Sequence, residues 1–224
     1  MIQTRMEGAA KVMEKRAEQS VEFRRGVYDA PRAAALSGVP ETTLHYWARK
    51  GIYEPSISPD PRTRYWSWMD LLALRMVDWL RHNDIPMSRI RQAIKQLESR
   101  DIPRQRLHQV VAGRRGRDVY VDVGGAIVHA APGQQEIWQA VLDPVLPYGS
   151  GPHLTEPRPL LRIIPGKLHG EPHVVSTRIS SATIYALSME GYRLEDIHGM
   201  YPDASAEAIR QAIDLEQSLT SVAA

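Results

Sequence analysis

The sequence predicts a mainly α protein with an N-terminal winged helix-turn-helix, a central β-hairpin and a C-terminal trihelical unit with short strands. Three observations carry this. Helix, tight-turn and helix signals follow one another from Tyr28 to Gly51, and a basic, proline-bounded loop with closing aromatics comes next. Valines alternate with polar residues just before a Gly-Gly pair at 124–125. Beyond Ser180, three apolar-periodic segments are separated by turn residues.

Taking the elements in order, Met1 to Arg25 is polar and charged and lacks the apolar stretch of a secretory signal. It is expected to be an N-terminal arm, with Met6–Phe23 able to form a helix. Pro31 suits a first helical turn, where its missing N–H costs nothing, and Arg32–Leu36 continues with an alanine-rich run of high propensity. Gly38 can take the positive φ of a sharp turn. Pro40 restarts the chain, Glu41–Lys50 forms the second helix, and Gly51 ends it. Val39, Leu44 and Trp47 then face the first helix. Thr42, Thr43, His45, Tyr46 and Arg49 lie on or near the exposed side, as in a recognition helix whose first turns meet base edges in the major groove.

Ile52 and Tyr53 read as a short strand, Pro55, Pro59 and Pro61 bound a loop, and Tyr65-Trp66 reads as the return strand. Arg62 and Arg64 sit where the chain turns back. Arginines at a groove bind phosphates or enter the minor groove. Two amphipathic helices follow, Met69–His82 with Leu72, Met76, Trp79 and Leu80 apolar, and Ser88–Glu98 with Ile90, Ile94 and Leu97. The five tryptophans, Trp47, Trp66, Trp68, Trp79 and Trp138, are expected as core anchors.

Val119, Val121 and Val123 have the period of a half-buried strand, Gly124-Gly125 is a hairpin turn, and Ala126–Ala131 returns. A lone hairpin is marginal in water and should pair with another element or subunit. A short helix is expected over Gln135–Leu142, followed by a proline- and glycine-rich crossing. Leu160–Ile164 and His173–Val175 read as short strands. Ser180 caps a helix over Ser181–Glu190 ended by Gly191, Leu194–Met200 is a second helix, and Ser205 caps a third. The expected division is an arm (1–25), a DNA-binding head (26–100), a central hairpin and helix (101–146), a linker (147–159) and a C-terminal unit for dimerisation and partner binding (160–224).

Charge divides along the same lines. Residues 1–117 hold 22 Lys and Arg against 13 Asp and Glu, a net +9, whereas residues 118–224 hold 6 against 13, a net −7. The basic half fits a phosphate partner, bound largely through counterion release. The acidic half would be repelled by the same backbone. Zero cysteines exclude disulfides, a Cys-ligated zinc site and thiol redox sensing. No apolar run approaches the ~20 residues of a membrane span, and a cytoplasmic location is the expectation.

No P-loop, dinucleotide fingerprint or GxSxG occurs, so the chain is expected not to be an enzyme and to need no cofactor or metal. One rival is a metal-dependent enzyme built around His169 and His173, but Pro172 prevents the helical spacing that metalloproteases use. Thr177-Arg178 is expected to fix a turn or an ion pair.

Tyr28–Pro40, with the run YDAPRAAALSGVP, and Thr43–Ile52, with TLHYWARKGI, resemble the opening of a MerR-like DNA-binding domain. In that family the second helix and the wing contact DNA. This chain lacks the long heptad run of MerR activators and the cysteines of their metal-sensing branch. The C-terminal half, from Ile164-Pro165-Gly166 through Gly170–Ile179, Glu190-Gly191-Tyr192 and Tyr201-Pro202, resembles a small domain family of unknown function found in antitoxins. Together the two halves resemble a branch of VapB-type antitoxins. The resemblance implies an antitoxin of a type II toxin–antitoxin system that dimerises, binds double-stranded operator DNA and neutralises a PIN-like ribonuclease toxin. The closing segment, 215–224, has no Lys or Arg, unlike the basic tails of many VapB proteins. The other rival is a free-standing MerR-like regulator that responds to a small effector.

Overall fold

The computed structural model describes residues 26–58, 60–115, 117–123, 126–129 and 151–223. The arm, the Gly124-Gly125 turn, the end of the return strand and the expected helix over 135–142, with Trp138, lie outside the described residues. The architecture is mainly α, as the sequence predicts.

The head begins with α1 (Ala30–Ser37) and α2 (Glu41–Arg49). Asp29 caps α1 by accepting from Arg32 N at 2.9 Å, with Pro31 in the first turn. Gly38 closes the helix at φ 76°, returning its N–H to Ala34 O, and a side chain there would strain the backbone. Leu44, Trp47 and Val39 are buried, as the pattern predicts.

Ile52 and Tyr53 form no strand. Both backbone N–H groups point back to Trp47 O, so they close the recognition helix and leave no ladder to join. The wing is instead held by two antiparallel bridges, Ser58 with Tyr65 and Tyr28 with Trp66. Tyr53 is buried, and its hydroxyl donates to Asp70 Oδ1 at 3.0 Å.

Helix α3 (Trp68–His82) starts from a capping box between Ser67 and Asp70. Sequence periodicity assigns it one apolar side, yet it is buried on most of its surface, because α1, α4 (Met87–Glu98) and α5 (Leu107–Val110) pack around it. Trp47 and Trp66 are buried, while Trp68 and Trp79 are partly buried against the core.

The hairpin strands are β2 (Asp118–Val123) and β3 (Ala126–His129), paired antiparallel with Val123 opposite Ala126. The hairpin does not stand alone. Strand β1 (Val111–Arg115), absent from the sequence reading, pairs with β2 across a register shift between Val111 and Gly113. In the C-terminal unit, β4 (Leu161–Arg162) pairs antiparallel with β5 (His173–Val174). Three helices follow, α6 (Ser181–Met189), α7 (Leu194–Met200) and α8 (Ala206–Ala223). Ser180 caps α6 by accepting from Thr183 N, and Ser205 Oγ accepts from Ala208 N at the start of α8. Thr177 fixes its turn by donating to Val174 O and accepting from Ile179 N, and Arg178 is exposed.

Helix α8 packs on α1, the first helix of the head. Arg32 of α1 donates to Glu216 of α8 at 2.7 Å and to Glu171 at 2.6 Å. Tyr28 donates to Gly170 O at 3.0 Å, and Val27 N to His169 O at 2.9 Å. Burial alone would lower the Arg32 guanidinium, but its two carboxylate partners outweigh that and hold its pKa above the ordinary value. At the C-terminal end of α1, buried Arg75 donates to Leu36 O at 2.6 Å and also to Pro152 O. It thereby supplies a cationic cap where a helix exposes unpaired carbonyls. Burial lowers its pKa to about 10.

Candidate nucleic-acid interface

Helix α2 is anchored by Leu44, Trp47 and Ala48, which turn Thr42, Tyr46 and Arg49 outward. Thr43 and His45 are half-buried. Tyr46 is 47% exposed on this face. The Arg49 guanidinium reaches no carboxylate among the described residues, so its charge faces outward.

The wing folds over the same face. Asp60 Oδ1 accepts from Arg62 N at 2.8 Å, and Thr63 N bonds to Asp60 O at 3.1 Å, forming the tip. Arg62 is exposed there. Arg64, half-buried, donates from Nη1 to His45 Nδ1 at 3.1 Å. Because arginine has no acceptor, His45 Nδ1 must accept, and the ring proton resides on Nε2. Nε2 in turn lies 3.3 Å from Glu41 Oε1, one turn back on α2. The imidazole also meets Trp66 edge-on, with centroids 6.2 Å apart and planes at 69°. The recognition helix and the wing are therefore joined by a chain of side chains from Arg64 through His45 to Glu41.

All seven sequence-predicted contact residues belong to these two adjoining elements. Glu41, Trp66 and Arg81 are absent from that set. Glu41 and His45 were detectable as an i, i+4 pair on one helix face. Arg81 stacks over the buried Trp47 ring at 5.7 Å and adds exposed positive charge behind α2. Its partner lies 34 positions earlier in the chain, so no local pattern reveals it.

His169 and His173 are not presented together. His169 is exposed in a left-handed conformation at φ 55°, whereas His173 is buried with its Nδ1 bonded to Glu171 O at 3.1 Å. Among the described residues no group of three or more His, Cys, Asp or Glu is placed to hold a metal ion. Among them, too, no helix is long and apolar enough to cross a membrane.

Comparison with known proteins agrees with this geometry. Residues 28–97 match the family model described as MerR HTH family regulatory protein, so the head is a helix-turn-helix of that kind. Residues 162–214 match a protein family of unknown function, DUF433. Over 76 residues the chain is 33% identical to an uncharacterized HTH-type transcriptional regulator of Mycobacterium bovis and to two of Mycobacterium tuberculosis. Each match covers 33% of this chain and 34% of the relative, so the chain spans about a third of the length of the curated relatives it matches. No solved structure matches the chain significantly.

Proposed function

We propose that the protein is a sequence-specific, dimeric DNA-binding regulator. The observation that carries this is the single face formed by α2 and the wing, with Thr42, Tyr46, Arg49 and Arg62 exposed and Arg64 held beside them. The exposed polar residues of α2 suit base and phosphate contacts in a major groove. The wing arginines suit the flanking backbone or minor groove. The MerR-type match over the head and the regulator names of its relatives support the same reading.

We further propose that it acts as an antitoxin, binding its own promoter and neutralising a PIN-like ribonuclease toxin through the C-terminal unit. Support comes from the resemblance of residues 164–202 to antitoxin-associated domains, the DUF433 match and the acidic charge of that half. A cytoplasmic location and no catalytic activity of its own go with this role. Purification from the native host after nuclease treatment tests it. A stoichiometric small ribonuclease-like protein is expected, and a homodimer with no such partner would contradict the antitoxin role.

A cleft favours one second reading, a free-standing regulator with a small effector. The cleft has a volume of about 520 Å³ and lies between head and C-terminal unit, lined by Tyr28, Arg32, Tyr65, Glu171, Glu216 and Leu219. Saturable binding of a small molecule that changes DNA affinity would select this reading over the first.

A further inference from the structure

We infer that His45 is a positioning residue for the wing and reads no base itself. Both ring nitrogens are occupied within the protein, Nδ1 by Arg64 Nη1 at 3.1 Å and Nε2 by Glu41 Oε1 at 3.3 Å. The ring edge rests against buried Trp66, the last wing residue, which pairs with Tyr28 in the antiparallel bridge. A recognition-helix side chain that hydrogen-bonds a base edge needs a free donor or acceptor, and both His45 nitrogens are already engaged. What it does is fix one end of the Arg64 guanidinium. Among the described residues Arg64 Nε is buried without a partner, and the Nη1 bond to His45 orients the group. Holding a flexible arginine in place before binding removes part of the ordering cost that binding would otherwise incur. The wing cation is thus set by the recognition helix, and the two DNA-facing elements act as one unit.

The assignment rests on the DNA-binding reading, and its test separates the two. The probe is duplex DNA taken from immediately upstream of the protein's own coding sequence, bound by the full chain. Four proteins are compared: the parent, His45→Phe, Arg64→Ala and the double variant. Phe keeps the ring against Trp66 and removes both nitrogens. Each single variant should bind about tenfold more weakly, with a salt slope shallower by about one. The double variant should bind no more weakly than Arg64→Ala, because His45 acts only through Arg64. His45→Asn, which retains an acceptor close to the Nδ1 position, should restore most of the affinity lost in His45→Phe. If His45→Phe does not fold, His45→Asn against His45→Ala carries the comparison. Losses that multiply in the double variant, or an Asn variant as weak as Phe, would overturn the positioning role alone. A parent protein that does not distinguish this duplex from unrelated DNA would overturn the DNA-binding reading and the positioning role with it.

Discussion

Arg32, in the first helix of the head, donates from Nη1 to Glu216 Oε2 at 2.7 Å, although 184 positions separate the two residues. Side-chain exposures of 15% and 8% make this a largely dry ion pair. Glu171 takes the other terminal nitrogen of Arg32, and Ser181 donates to Glu216. The network joins α1 of the head to α6 and α8 of the C-terminal unit. The C-terminal unit is therefore in physical contact with the scaffold of the recognition helix.

Removing one member of such a network strands the others. Glu216→Ala leaves Arg32 with Glu171 alone and should destabilise the protein by about 3 kcal/mol. Glu216→Gln, which still accepts from Ser181, should cost less. Urea unfolding followed by fluorescence and circular dichroism measures both. An Ala variant within about 0.5 kcal/mol of the parent would mean the network is not integral to the fold.

Gly151 seats tightly against the head. A Cβ there would fall 2.6 Å from both Arg75 Nη2 and Leu36 O and 3.1 Å from Gly38 N. Two of these three atoms are backbone and cannot swing away. Gly151→Ala should cost about 1–3 kcal/mol, the range for overpacking a filled site. A thermal melt unchanged from the parent would show that residues 151–152 do not seat against the turn of the helix-turn-helix.

Acid should loosen the C-terminal unit through His173. Burial pushes this imidazole below its ordinary value of 6.5, and the bond to Glu171 O offsets part of the shift. The unfolded chain then binds the proton more readily than the folded one, so stability rises with pH across this window. The contribution is fully present above the unfolded value and is lost as pH falls from there toward the folded one. Burial lowers His108 in the same direction. Unfolding midpoints should fall between about pH 7 and pH 5, and His173→Asn, which keeps a donor near the Nδ1 position without titrating, should flatten the decline. An identical decline in that variant would exclude His173 as its source.

Local signals carried most of the helical architecture. Pro31 and Gly38 mark both ends of α1, and Ser180 and Ser205 cap α6 and α8 where the pattern places them. The alternation at 119–123 marks a strand, and Val119 and Val121 are buried as it predicts, with Tyr120 between them buried as well. Ile52-Tyr53 misleads for the converse reason. Two β-prone residues are buried by closing a helix, and composition cannot distinguish that from a ladder. Strand β1 has the run VAGRR, with one apolar pair and a glycine, so its pairing comes from the hairpin beside it. The links Arg32–Glu216, Arg75–Pro152 and Arg64–His45 join distant or differently folded segments, and no periodicity encodes them. The contact face was legible as a set of residues, but the side-chain chain that organises it was not.

The most direct test of the central claim is a salt titration of binding to DNA from upstream of the protein's own gene, parent against Arg49→Ala with Arg64→Ala. The parent should bind site-specifically, with protected half-sites about one helical turn apart or a multiple of it. The double variant should bind more weakly, with a salt slope shallower by about two, one for each lost phosphate contact. Equal affinities and equal slopes for the two proteins would contradict the claim.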